Sequence, residues 1–475
     1  MQDKQFQELI DLMNLNHIDF NLKKVEEAFY FAKTKHDGQT RMSGEPYFNH
    51  VFGTAMILAE NRFTEDIIIS GLLHDTLEDT DATSEEIKKM FGENVKYIVD
   101  GVTKLGKLKY RGKERYAENL RKMLTRAASN AGVLYVKFAD RIYNLQTLQY
   151  HNKPEKIERI ARESLEIYSK MANRLNIGNM QAQLEDLSFK FLQPEEYKKV
   201  LKILQQEEAK NSKYVEGVIK KISKLLYENN IKDFKVSGRV KHIYSLYKKL
   251  QKKDFDMSQI HDIQAVRILV EDESDCYKAL GVIHKNYKPM PGRIKDYIAN
   301  PKPNGYQSIH TTIFCDKNKV AEVQIRTYQM HDINEYGISS HAGYKDKKMS
   351  LDWLKDLNTF HKESKDDDEF LESLKLDLFQ NRIFVLTPNG DAIDLPDGAT
   401  PVDFAYCVHG SVGNRCYQAK INGKIATLDY HLQNGDVVEI ITRKTDGPQK
   451  NWLMFVKTSN ARTSIKKWLK SKDLL

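Results

Sequence analysis

The feature that most limits the possible folds is a change of texture near residue 200. Up to about residue 195, apolar residues recur at helical spacing through "VEEAFYFAKTKH", "YFNHVFGTAMILAEN", "EEIKKMFGENVKYIVDGVTKL" and "IERIARESLEIYSKMANRLNI". That period buries one stripe of each helix and offers a sheet no alternating face, so residues 1–195 are expected to be all-α. From about 215, helical patches ("HIYSLYKKLQKK", "DCYKALGVIHKNY") alternate with strand-like ones ("IQAVRILVED", "IHTTIFCD", "KVAEVQIRT"). This predicts a mixed α and β domain over 196–345. Residues 346–380, with "KESKDDDEF" at their centre, read as a charged linker ending in the short helix "EFLESLKLDL". Residues 381–443 read as a small β unit, with a hairpin turned at Asn389-Gly390, a second turn in "QAKINGKIATL" and a last strand in "GDVVEIIT". Residues 444–475 are helical and amphipathic.

A chain of 475 residues fits about three domains. Its net charge of +8, from 74 basic and 66 acidic residues, does not by itself announce a nucleic-acid binder. The four cysteines form no CxxC pair and read as reduced, mostly buried thiols. The N-terminus is too polar for a signal peptide, and no apolar run approaches the roughly 18 residues of a membrane span. The expected location is the cytoplasm.

Two polar clusters carry the chemistry. In "GLLHDTLEDT" (71–80), His74, Asp75, Glu78 and Asp79 on one helix would fan over an arc of roughly 140° and face one cavity. A lone His-Asp pair is most often a capped turn or a solvated face. His50, ending "PYFNH", and Asp140, in "LYVKFADRIYNL", change the balance. Two histidines and two carboxylates brought together by three helices suit a divalent cation such as Mn²⁺, which would compensate the burial of the carboxylates. The second cluster lies in "KVAEVQIRT", where alternation puts Glu322, Gln324 and Arg326 on one face and Ala321, Val323 and Ile325 on the other. An edge strand or a solvated face would give the same pattern. Asp262 could bring a second carboxylate, and two carboxylates can hold Mg²⁺ against a triphosphate with cations nearby.

These residues carry a resemblance. "HDTLEDT" with "ADRIYNL" is similar to the HD-type hydrolase domain of the RelA/SpoT family of alarmone synthetase/hydrolases. "GRVKHIYSLYKK", "PGRIKDYIANPKPNGYQSIHTT" and "EVQIRTYQMHDINEYG" are similar, nearly word for word, to its synthetase domain, which has a nucleotidyltransferase-like α/β fold. "LPDGATPVDFAYCVHGSVG" resembles a TGS domain of β-grasp type. The resemblance implies that the chain transfers pyrophosphate from ATP to the 3′-hydroxyl of GDP or GTP, and also hydrolyses (p)ppGpp.

The resemblance also implies roles, residue by residue. His50, His74, Asp75 and Asp140 would bind Mn²⁺, while Glu78 and Asp79 would orient or deprotonate the attacking water. Arg41, in "RMSGEPYF", would stack on guanine, and Asn144 and Thr147 would line that pocket. In the synthetase, Asp262 would bind Mg²⁺ and Glu322 would act as general base or share the metal. Tyr306 would stack on guanine, and Arg239 would pack on adenine. Lys241, Lys295 and Lys302 would hold phosphates, and Asn304 and His310 would complete the guanosine site. Arg293 stands in "RIKD", the basic form of this loop carried by bifunctional members.

Met42, Tyr143 and Gln146 depart from the family's usual Lys, His and Arg, and Ala342 replaces a Trp. The first of these puts the hydrolytic rate in question. In long members the TGS domain meets deacylated tRNA on the ribosome; His409 matches that contact, with the capping of a turn as its plain alternative. Opposed activities in one chain are expected to be reciprocally regulated through the helices near 150–200. The competing expectations are a hydrolase-dominant enzyme, or a ribosome- and tRNA-binding sensor with one vestigial site.

Overall fold

The computed structural model describes residues 3–103, 112–239, 242–255, 265–302, 304–315, 319–337, 382–443 and 447–474. It divides into two compact units, residues 1–103 with 131–349 and residues 104–130 with 350–475. Four expectations lie outside the described residues: the linker helix in 346–380, Ala342, Lys241 and Asp262.

The first unit begins with helices α1 (Lys4–Leu15), α2 (Leu22–Lys35), α3 (Phe48–Glu60), α4 (Glu65–Leu73), α5 (Thr76–Asp79), α6 (Ser84–Phe91) and α7 (Glu93–Val102). Helix α8 (Gly112–Ala127) falls in the second unit, and α9 (Gly132–Gln146), α10 (Pro154–Glu163), α11 (Ser169–Arg174) and α12 (Gly178–Leu192) complete the all-α series. Local rules explain the boundaries. Asn21 caps α2 by accepting from the Lys23 and Lys24 amides, and Thr83 and Glu86 form a capping box at α6. Proline opens α10, and a π turn (Ser164–Tyr168) leads from it into α11. Helices α3 and α9 carry His50 and Asp140, and they meet at Gly53, where the ring of Tyr143 fills the space a side chain would take.

Helix α13 (Pro194–Glu228) runs unbroken into the mixed domain. There α14 (Ile243–Gln251), α15 (Glu273–Asn286) and α16 (Tyr328–Tyr336) accompany five strands, β1 (Phe234–Arg239), β2 (Ala265–Val270), β3 (Lys295–Asp296), β4 (Ile309–Phe314) and β5 (Val320–Thr327). The strand order is β1-β2-β5-β4-β3, with β2 parallel to β5 and the other pairs antiparallel. Val218, Ile222 and Leu226 of α13 and Cys276, Ala279 and Ile283 of α15 form a core with Val266, Ile268, Val323 and Ile325 of the sheet. β5 is therefore central, and one of its faces is sealed by helices.

The α-helical part and the mixed domain are joined by specific polar contacts. Arg62 pairs with Asp332 at 3.2 Å and lies over the Tyr336 ring at 4.6 Å. Asn176 donates to Asn334, whose own amide donates to the Gln307 carbonyl. A side chain at Gly178 would meet the Asn334 carbonyl at 2.6 Å, so this crossing requires glycine. Asp186 of α12 accepts from the Ile243 and Tyr244 amides and caps α14 from another part of the chain.

In the second unit, β6 (Arg382–Leu386) and β7 (Ala392–Pro396) form the expected hairpin, with Gly390 at φ +89°. β8 (Cys416–Ile421), β9 (Lys424–Ala426) and β10 (Val438–Thr442) form a second sheet in the order β10-β8-β9. Asn422 and Gly423, both at positive φ, make the second expected turn. The C-terminal stretch is not one helix: a 3₁₀ segment (Lys450–Met454) precedes the helix Ser459–Ser471. Trp452, Val456, Ile465 and Leu469 pack against Val402, Ala405 and Tyr406 of the helix Pro401–Val408. All four cysteines are free; Cys276 and Cys416 are buried, Cys315 is half-buried, and Cys407 is exposed, against expectation. No described helix is long and apolar enough to cross a membrane.

Candidate active sites

The first polar cluster is assembled, by a route different from the expected one. Helix α4 stops at Leu73, and α5 starts again at Thr76. His74 and Asp75 therefore sit at a break and not on a continuous helix. The Thr76 hydroxyl bonds back to the Leu73 carbonyl across the break. His74 Nδ1 donates to the Gly71 carbonyl at 2.8 Å, which leaves its Nε2 lone pair facing the cluster. His50 Nε2 lies 3.2 Å from that atom, a separation that needs a proton or a cation between the two nitrogens.

Asp75 Oδ2 is 3.3 Å from each of these nitrogens, and Asp140 Oδ1 is 3.4 Å from His50 Nε2. His50, His74 and Asp140 offer ligand atoms all within 4.8 Å of one another, and all three residues are buried. Burial would raise the Asp75 and Asp140 carboxyls, yet the two imidazoles, with Lys137 beside Asp140, hold both well below the usual carboxylate range. Burial opposes a charge on His74, and the two carboxylates outweigh it and raise its pKa. The residues fit a divalent cation: two buried carboxylates and two imidazole nitrogens converge on one point, where positive charge would offset the burial of the anions.

Sequence reasoning missed two neighbours. The Tyr47 hydroxyl lies 2.7 Å from Asp75 Oδ2 and 2.9 Å from Asp79 Oδ2, and its ring stacks on His36. Lys137 Nζ lies 2.7 Å from Asp140 Oδ2. Each stands three residues before a proposed ligand, Tyr47 at the N-cap of α3 and Lys137 within α9. Asp79 is exposed and Glu78 half-buried. The three expected pocket residues do converge: Arg41 donates to Asn144 at 2.7 Å and reaches Thr147 at 3.4 Å, over the Tyr143 ring at 5.5 Å.

The second site lies on the other face of β5. Gln324 and Arg326 are buried there, so this polar face is neither solvated nor on an edge strand. Glu322 Oε1 accepts from Gln324 Nε2 at 2.7 Å and lies 3.2 Å from His310 Nδ1. Burial alone would raise the Glu322 carboxyl; these two donors bring it down to about 2. Burial lowers His310. Lys302 Nζ sits 4.5 Å from the Tyr306 ring centroid and 4.7 Å from that of Tyr297. Partial desolvation lowers its pKa, and the nearby cations Lys295, Arg239 and Arg326 lower it further. Register places Arg239 beside Ala265 and Ala265 beside Glu322, and pairs Lys295 with His310.

Arg239, Arg293 and Lys295 are exposed. Asn304 turns away from this group, donating to the Asn173 carbonyl at 2.9 Å. Lys241 and Asp262 lie outside the described residues. In the second unit the His409 ring caps the helix Gly410–Asn414 through the Ser411 amide.

A buried His/Asp centre on helices and a cation-rich site on a mixed sheet define a multidomain chain of the HD-hydrolase and nucleotidyltransferase-like class. Family models agree: residues 28–178 match an HD domain, 238–349 the "Region found in RelA / SpoT proteins", and 383–442 a TGS domain. The chain is 46% identical over 468 residues to a GTP pyrophosphokinase of Myxococcus xanthus, covering 96% of this chain and 62% of that protein. It is 45% identical over 465 residues to a guanosine-3′,5′-bis(diphosphate) 3′-pyrophosphohydrolase of Aquifex aeolicus (97% and 66%). It is 40% identical over 475 residues to the bifunctional (p)ppGpp synthase/hydrolase SpoT of Escherichia coli K12 (98% and 67%). The chain belongs to the RelA/SpoT family. It spans less than two thirds of the first two of these relatives.

Proposed function

We propose that the chain is a bifunctional alarmone enzyme: it transfers pyrophosphate from ATP to the 3′-hydroxyl of GDP or GTP, and it hydrolyses (p)ppGpp to GDP or GTP and pyrophosphate. The observation that carries this reading is the presence of two separately built sites, one centred on His50, His74 and Asp140 and the other on Glu322. The relatives named as kinase, hydrolase and both support it.

In hydrolysis, His50, His74, Asp75 and Asp140 would hold the cation, Mn²⁺ on the family resemblance. Bound there, it would supply a water of lowered pKa. Glu78 and Asp79 would orient the attacking water or accept its proton, and Arg41, steadied by Asn144 and Thr147, would take the guanine. In synthesis, Asp262 and Glu322 would hold Mg²⁺. The 3′-hydroxyl oxygen attacks the β-phosphorus of ATP, the bond to the α-phosphate oxygen breaks, and AMP leaves. Glu322 takes the hydroxyl proton or shares the cation, while Arg239, Lys241, Arg293, Lys295 and Lys302 balance the phosphate charge and Tyr306 stacks on guanine. His310 and Asn304 complete the guanosine site, Asn304 only after leaving Asn173. Ribosome and deacylated tRNA are the partners proposed for the TGS unit, with His409 as a contact.

The test follows nucleotides in two incubations, one with ATP, GDP and Mg²⁺ and one with ppGpp and Mn²⁺. Asp75→Ala is expected to abolish the second reaction and spare the first, and Glu322→Ala to do the reverse. Loss of both activities in either variant, with the fold intact, would refute two independent sites.

A further inference from the structure

The polar face of β5 carries a closed circuit of hydrogen bonds whose direction can be read from one residue. Arginine has donors only, so both Arg326 contacts run outward: Nη2 donates to the Tyr306 hydroxyl at 3.0 Å and to Gln324 Oε1 at 2.7 Å. Gln324, accepting at its oxygen, must turn its amide nitrogen to Glu322, and it donates to Oε1 at 2.7 Å. Tyr306, accepting from Arg326, has one proton left to give, and His310 Nε2 lies 2.9 Å away. A neutral imidazole that accepts at Nε2 carries its proton on Nδ1, and Nδ1 faces Glu322 Oε1 at 3.2 Å. Two branches leave one guanidinium and end as two donors on one carboxylate oxygen. Arg326 is only 2% exposed, and its Nε finds no hydrogen-bond partner among the described residues. A cation buried at such expense, on the strand that carries Glu322, indicates a use beyond packing.

We propose that Arg326 is a positioning residue of the synthetic site, which fixes the tautomer of His310 and the amide orientation of Gln324 and through them holds Glu322. Both donors fall on Oε1, so Oε2 is the oxygen that meets the 3′-hydroxyl proton or the cation. Arg326 itself touches no nucleotide in this scheme. The inference rests on the synthetic reading of this face, and wild-type synthesis is therefore measured alongside every variant.

Tyr306→Phe keeps the stacking ring and removes the oxygen that links Arg326 to His310. Its kcat for pyrophosphate transfer is expected to fall about ten- to a hundredfold, the worth of one charge-assisted hydrogen bond, with KM for GDP within about threefold. Arg326→Lys keeps the charge and loses the fork; kcat should fall comparably, and if that variant does not fold, Tyr306→Phe carries the test. Nitrogen-15 imidazole spectra of the wild type, with the His310 signal identified by its loss in His310→Asn, should show the Nδ1–H tautomer. An unchanged kcat in Tyr306→Phe, or an Nε2–H tautomer in the wild type, overturns the proposal. A wild type that makes no product would overturn the synthetic reading instead, and the tautomer measurement would still decide the circuit.

Discussion

Gly53→Ala should destabilise the protein although the position lies inside a helix, where alanine is ordinarily the better residue by about 1 kcal/mol. The reason is Tyr143 on α9. A β-carbon at position 53 would stand 2.0 Å from its Cε2 and 2.3 Å from its Cδ2. Carbon atoms rest about 3.5 Å apart, so the ring would have to retreat by about 1.5 Å. It has little room, with the His50 ring centroid 5.2 Å away and the Arg41 guanidinium 5.5 Å from its own centroid. Overpacking of this kind costs about 1–3 kcal/mol, and a flat ring held on both sides belongs in the upper half of that range. Set against the helix propensity, the net loss is about 1–2 kcal/mol. In a Tyr143→Ala background the clash is gone, and Gly53→Ala should become stabilising by about 1 kcal/mol, a coupling of about 2 kcal/mol or more. Urea titrations of the four proteins, followed by far-ultraviolet circular dichroism, give the cycle. Hydrolysis should suffer more than synthesis in Gly53→Ala, because the displaced ring borders both His50 and Arg41. A neutral or stabilising Gly53→Ala in the unaltered chain would refute this reasoning.

Lys137→Met should lower the stability of the metal-free protein by about 2 kcal/mol, since it removes one charged donor from buried Asp140 and leaves His50 and Asn144 beside it, and saturating Mn²⁺ should recover more than half of that; melting with EDTA and with Mn²⁺ measures both. Burial, with Arg267 beside it, lowers His331 from 6.5 to about 4. The folded state thus prefers the neutral ring: its contribution is whole above pH 6.5 and is lost as pH falls towards 4, up to ~3 kcal/mol. His331→Asn should flatten the pH dependence of Tm between pH 7 and 4.5. Asp403 is fully buried and accepts from the Thr400, Lys457 and Thr458 amides and both threonine hydroxyls. Asp403→Ala should destabilise the second unit by about 4 kcal/mol, read as an early thermal transition.

Period and motif made much of this visible in advance. The helix series, the central strands and the two-faced character of β5 follow from spacing, because burial imposes those periods. Asn389-Gly390 gave the hairpin because few residues accept its backbone. The break between α4 and α5 was hidden: its causes are a hydroxyl returning to the Leu73 carbonyl and an imidazole bonded to Gly71, contacts without a period. Tyr47 and Lys137 were hidden for a related reason, since a tyrosine or lysine one turn from a ligand looks like any other until its partner is placed. The hydrogen bond from Asn304 to Asn173 was hidden as well, because the motif around Asn304 implies a nucleotide contact and says nothing of a carbonyl 131 residues earlier. The direction of the Arg326 circuit needed coordinates, as it depends on which atoms of five side chains meet.

Helix α13 belongs to two cores at once. Val200 and Leu204 pack with Phe189, Leu246 and Tyr247, while Val218, Ile222 and Leu226 pack beneath the sheet. A fragment beginning at Pro194 would keep every strand, but would expose the apolar partners of Phe189 and strip the α14 amides of Asp186. The seam visible in the sequence is thus a poor place to divide the molecule. Separate expression of the all-α and mixed parts should succeed best when the mixed-domain fragment starts ahead of Gly178 and takes α12 with it.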